Sequence, residues 1–164
     1  MNIASLAEIK KELQLLSQKE LIAVIADLAK FSTDNKLLLY FQLYGRDHPE
    51  LFKDMVQEEL SYEFQMANTR NYHYAKKSVQ SIRRKLNKFL KFTKDKPTQI
   101  ELIVFFCEMI YEYGYLAFGH PVIDNLYQLQ LGKIEKLMNQ LHEDLQYDYQ
   151  LKVKELKDYQ NLSK

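Results

Sequence analysis

Glu108 and Glu112 stand four residues apart in a stretch, Ile100 to Phe118, that is mostly apolar. In a helix that spacing puts both carboxylates on one face. Buried together they would repel, one would take a raised pKa, and that one could serve as an acid. The other reading is a solvent stripe on an otherwise buried helix. Tyr111, Tyr113 and Tyr115 are close enough in sequence to donate hydrogen bonds to either carboxylate. Cys107 lies among Phe105, Phe106 and Met109, where apolar surroundings raise a thiol pKa and make it inert. The histidines, at 48, 73, 120 and 142, are not spaced i,i+3 or i,i+4 with each other or with Cys107. The zincin and di-iron helix patterns are absent. Gly114, Gly119 and Gly132 are isolated, so no phosphate cradle is written into the chain. These residues predict a non-enzyme with no catalytic residue, no metal and no cofactor.

Charge is distributed with more purpose. Residues 1–69 carry 7 Lys/Arg against 11 Asp/Glu, residues 70–96 carry 10 against one, and residues 97–164 carry 6 against 10. A net charge of +1 thus conceals one strongly basic segment. That segment is amphipathic. Tyr72, Ala75, Val79, Ile82, Leu86 and Phe89 follow 3-4-3-4-3 spacing and form one apolar stripe. Lys76, Lys77, Arg83, Arg84, Lys88 and Lys91 fall opposite, with Lys77, Arg84 and Lys91 in line as a ridge. These six are the candidate anion-binding or nucleic-acid-binding residues. Two readings stand. The face is solvated and offset by acids of the preceding helix (Glu50, Asp54, Glu58, Glu59, Glu63), or it contacts phosphates on nucleic acid or anionic lipid, or an acidic protein.

The elements that must position these residues read as helices nearly throughout. Ser5 with Glu8, Ser17 with Glu20, Asp47 with Glu50, and Thr98 with Glu101 match the capping-box pattern. The spacing predicts seven helices: about 5–15, 18–31, 33–44, 49–67 opening at Pro49, 71–93, one after Pro97 to about 119, and a long region from Pro121 to about 159 with a break near Gly132 or Gln146. Short connections make successive helices antiparallel. The expected fold is all-α, a single domain over 1–164, built as an irregular bundle or a short stack of helix pairs. Residues 121–160 either cap the core of their own chain or extend as an arm toward a second copy. Gly 4 and Pro 3 are too few for a turn-rich β fold, and a single Cys excludes a disulfide scaffold.

Glu101, Glu108 and Glu112 make Ile100–Phe118 a core helix rather than a membrane span, since each would cost about 2.5–3.5 kcal/mol at the bilayer centre. The N-terminus lacks a basic stretch followed by an apolar run, so no secretory signal is expected and the cytoplasm follows. From Leu6-Ala-Glu-Ile-Lys-Lys-Glu-Leu and Leu16-Ser-Gln-Lys-Glu-Leu-Ile, through Asp27-Leu-Ala-Lys-Phe and Tyr74-Ala-Lys-Lys, to Phe106-Cys107, the chain resembles a family of small bacterial proteins described as a domain of unknown function. The resemblance spans about residues 5–115 and implies a bacterial, cytosolic, all-helical protein without assigned activity or site residues. The first two helices also resemble a helix-extended-helix DNA-binding motif, but its central Gly is missing. The expected function is a helical protein-interaction module, with a protein partner or self-association. The alternative is a nucleic-acid-binding accessory protein using the basic face at about 71–93.

Overall fold

The computed structural model describes residues 3–162 apart from Arg46 and Pro49. Its first two helices, α1 (Leu6–Gln14) and α2 (Gln18–Phe31), begin at true capping boxes. The Glu8 carboxylate accepts from the Ser5 N–H at 2.7 Å while Ser5 Oγ accepts from the Glu8 N–H at 3.4 Å. Ser17 and Glu20 repeat the arrangement at 2.8 and 3.4 Å. Both acids are held below their ordinary pKa, first by the serine hydroxyl and then by the serine N–H. A depressed carboxylate stabilises the fold above its unfolded pKa, and that stability is lost as pH falls through the folded value. Acidification through the carboxylate range should therefore raise amide exchange in the first turns of α1 and α2. Ser5→Ala with Ser17→Ala should flatten that response, and an unchanged pH profile in the double variant would mean the boxes do not form.

Ser32 caps α3 (Thr33–Tyr44), and the Asn35 side chain donates to the Leu28 carbonyl at 2.8 Å, which ties α3 back to the end of α2. Contacts gather the chain into two compact units, Met1–Leu51 and Phe52–Lys164. The first holds α1–α3, and among its described residues only Phe41 is buried.

The second unit holds α4 (Leu51–Met66) from Phe52 onward, α5 (Tyr72–Phe89), α6 (Lys96–Glu112), α7 (Pro121–Met138) and α8 (Glu143–Leu162). Its core is all helix-on-helix. Every fourth residue of α4 is buried (Phe52, Val56, Leu60, Phe64), and so is the stripe Ala75, Val79, Ile82, Leu86, Phe89 of α5. Side-chain pairings give the directions. Glu101 meets Tyr149, Glu108 meets Lys152 and Tyr111 stacks on Tyr159, so α6 and α8 run parallel. Tyr72 meets His120 and Asn87 meets Lys133, so α5 and α7 run parallel, and consecutive helices alternate in direction. The fold is all-α, with no strand among the described residues and a long C-terminal helix. No described helix is long and apolar enough to cross a membrane.

Several boundaries differ from the sequence reading. The helix placed at 71–93 ends at Phe89, and Lys91 lies in the turn beyond it. Helix α4 opens at Leu51, which leaves Asp47 and Glu50 ahead of its first turn; Pro49 lies outside the described residues. Asp95, not Thr98, caps α6, because its carboxylate accepts the Thr98 N–H at 2.8 Å and Pro97 fits the first turn. Helix α6 stops at Glu112, and a separate 3-10 turn (Leu116–Phe118) lies between Gly114 (φ 70°) and Gly119 (φ 54°). Left-handed backbone at these two positions suits glycine and ends helical geometry. The C-terminal region breaks at residues 139–142 rather than at Gly132 or Gln146. Helix α8 turns back onto α6 and α7, burying Val153 and Leu156, and Tyr127 donates its hydroxyl to the Leu156 carbonyl at 2.8 Å.

Candidate functional site

Helix α5 begins at Asn71, whose side-chain oxygen accepts from the His73 and Tyr74 N–H groups at 3.0 and 3.2 Å. Its buried stripe fixes the rotation of the helix, so its cations divide into three rows. Lys85 faces α4, where it is paired with Glu63 at 2.7 Å and with Glu59. Burial alone would depress this ammonium, but the hydrogen bonds it donates to Glu59 and Glu63 outweigh it and hold Lys85 above its usual value. On this flank the acids of α4 offset the basic helix.

Lys77, Arg84 and Lys88 point outward and are exposed. Lys91, past the helix end, is also exposed, so the ridge on α5 itself is shorter than the spacing suggested.

The opposite flank, toward α7, is different. Lys76 Nζ lies 5.9 Å from the centre of the Tyr72 ring. Arg83 is half-buried, and its Nε has no hydrogen-bond partner. Asn87 Oδ1 accepts from Lys133 Nζ of α7 at 2.9 Å. Burial, and then the charge of Arg83, hold the Lys133 ammonium below its usual pKa. Lys136 follows one turn later on the same side of α7, where a shallow groove runs over Asn125, Leu129, Gly132, Lys133 and Lys136. Lys133 and Lys136 were not among the six residues singled out from sequence. No local pattern marks them, because only the parallel packing of α5 and α7 brings Lys133 to the Arg83–Asn87 flank, with Lys136 next on the exposed side of α7. At the N-terminal end of this seam, the His120 ring stacks on Tyr72 (4.5 Å between centroids, 16° between planes), and His73 packs on Tyr72 at 3.9 Å. His120 also caps α7, its Nδ1 accepting from the Val122 N–H at 3.2 Å.

The carboxylate pair of α6 does not converge on a shared site. Glu108 is held by Lys152 at 3.2 Å, and Lys152 also binds Glu155 at 3.2 Å. Glu112 is exposed. Glu101 joins α4, α6 and α8 instead, accepting from Lys53 at 2.7 Å and from Tyr149 at 3.3 Å. Burial first, and then the Glu101 charge, push the Tyr149 hydroxyl up to about 12. Tyr115 is buried, which pushes its hydroxyl up to about 12. Cys107 is fully buried, and burial raises its thiol far above the range in which a thiolate forms. Among the described residues no three His, Cys, Asp or Glu side chains are grouped to hold a metal.

The chain matches no protein-family model, no curated protein and no solved structure. Function therefore has to be argued from the surfaces themselves. Two stand out: the cationic α5–α7 flank and the apolar faces of α1–α3.

Proposed function

We propose that the protein is a non-enzymatic helical interaction module that self-associates through its N-terminal helices. One observation carries this reading: neither α1 nor α2 has a single buried residue, although both are amphipathic. Leu6 is 68% exposed, Ile22 60% and Leu28 56%. Fixing a residue costs about 1–2 kcal/mol of backbone entropy, and apolar burial is the main term that offsets it. With Phe41 its one buried described residue, this unit gains little from its own core. Contiguous apolar surface of this kind marks an interaction site.

The occupant that fits is a second copy. One chain offers both halves of a contact. Its groove, of about 360 Å³, is lined by Ile25, Leu28 and Ala29 of α2 and Leu38 and Leu39 of α3. Its other half is the exposed apolar surface of α1, Leu6 and Ile9. Reciprocal contact of the two patches closes as a two-fold dimer. Charge agrees, because Glu8 and Glu12 balance Lys10 and Lys11 on α1, and Glu20 and Asp27 balance Lys19 and Lys30 on α2. Such faces neither repel an identical copy nor select a highly charged partner.

Light scattering on the full chain should return twice the 19.6 kDa chain mass at high concentration. Ile9→Lys with Ile22→Lys should return the single-chain mass with helical content retained, since both residues are already exposed. A single-chain mass for the unaltered protein at every concentration would overturn the reading.

A further inference from the structure

We propose that the α5–α7 seam is a binding surface for single-stranded nucleic acid, with Lys76, Arg83, Lys133 and Lys136 on the phosphodiester backbone and the Tyr72–His73–His120 rings at one end taking a base. This surface lies in the second unit and does not depend on self-association.

Three observations carry it. First, the cations of the seam have no ion-pair partner among the described residues. Helix α5 contains no Asp or Glu. Of the acids of α7, Glu135 pairs with Lys157 of α8 at 2.7 Å, and Asp124, in the first turn at the ring end of the seam, is in no ion pair with Lys76. None of Lys76, Arg83, Lys133 and Lys136 has an ion pair among the described residues. The contrast with Lys85, which two carboxylates hold on the opposite flank, is what separates a solvated face from an unfilled one.

Second, Arg83 and Lys133 are close enough for one to depress the other, and Arg83 Nε is buried without a partner. Packing two cations together around an unmet donor works against folding. An anion in the seam removes both penalties at once.

Third, the cations are spread rather than convergent. Lys76 and Arg83 are seven residues apart, about 10 Å along α5 at 1.5 Å per residue. A lone phosphate would use one end of such a row, whereas a polymer uses all of it. The rings decide the type of polymer. Tyr72, His73 and His120 pack together where the cationic row begins, and His73 is exposed. Unpaired bases stack on exposed rings beside a cationic track, while a duplex keeps its bases inside.

The test is fluorescence anisotropy of a labelled 20-residue homopyrimidine strand across a salt series. Four neutralised phosphates on a single strand predict a log–log slope near −2.8, from about −0.7 per contact. Arg83→Gln with Lys133→Gln should weaken binding roughly 20-fold at about 0.1 M salt and bring the slope near −1.4. The melting temperature of that variant should hold or rise, because a repulsive pair has been removed. A purely structural role for Arg83 predicts a fall instead. Lys136→Gln, at an exposed residue, provides a second variant whose folding is not in question. Four results would overturn the proposal: no binding at low salt, equal affinity for a duplex, tighter binding of polyglutamate, or tighter binding of phosphatidylglycerol vesicles. Retained affinity in both variants would place any binding elsewhere. Loss of self-association in the α1–α2 variant with strand binding intact would separate failure of the module reading from failure of this one.

Discussion

Phe64→Ala is expected to destabilise the protein by about 3–5 kcal/mol, the range for truncating a large ring in a packed interior. Phe64 is 1% exposed, and its ring sits 5.6 Å from Phe106, 5.6 Å from Tyr113 and 5.8 Å from Tyr115. Phe106 and Tyr115 are themselves fully buried, so neither can swing out to fill the space. The loss therefore includes the transfer of the ring and the cavity left behind. The polar links of α4 are a useful contrast. Lys85 with Glu59 and Glu63, and Lys53 with Glu101, are all partly exposed, and such pairs are worth about 0–1 kcal/mol each. Lys85→Met should thus change stability far less than Phe64→Ala. Urea unfolding separates them: the midpoint should drop sharply for Phe64→Ala at nearly constant slope. A loss below about 1 kcal/mol would mean that α4 does not dock through this row.

The same contrast separates what is legible in the sequence from what is not. Local signals were legible. Ser5–Glu8 and Ser17–Glu20 act within one turn, and both form as their spacing predicts. The α5 stripe was legible because Ala75, Val79, Ile82, Leu86 and Phe89 obey one period and all are buried. Signals failed where two local solutions competed. Asp95 displaced Thr98 because a carboxylate is a better acceptor for the first-turn N–H groups, and Glu101 was then left for Lys53 and Tyr149. Gly132 did not break α7, since a helix tolerates a glycine for about 1 kcal/mol when its flanks favour continuing. The break at residues 139–142 contains neither Gly nor Pro; Asn139 caps the end of α7, and acidic Glu143 and Asp144 open α8, signals weaker than a glycine or proline and easily missed in sequence. The candidate surface follows the same rule. Its α5 half, Lys76 and Arg83, is contiguous in sequence and legible there. Its α7 half, Lys133 and Lys136, depends on a pairing between Asn87 and Lys133 across 46 residues, which no local pattern encodes. The offset by Glu59 and Glu63 is legible in sequence, but that Lys85 is the cation they hold is a property of helix rotation.

Gln130→Met is expected to stabilise the protein by about 1–3 kcal/mol, which is the cost of burying an unsatisfied polar group. Gln130 is 0% exposed, and neither its amide nitrogen nor its oxygen has a hydrogen-bond partner. It lies on the inward face of α7 with Ile123, Leu126, Tyr127 and Ile134, all buried apolar neighbours. Tyr127, the residue three before it, shows how the same core treats a polar atom properly, with its hydroxyl donating to the Leu156 carbonyl at 2.8 Å. Methionine matches glutamine in length and volume and brings no donor or acceptor, so packing is conserved while the desolvation penalty disappears. Thermal unfolding should show a melting temperature raised by several degrees. Gln130→Glu is the complementary change, placing a charge in the same apolar volume, and should lower it. The two variants together decide the matter, because an amide that is bonded in solution would make both destabilising, whereas an unsatisfied one moves them in opposite directions.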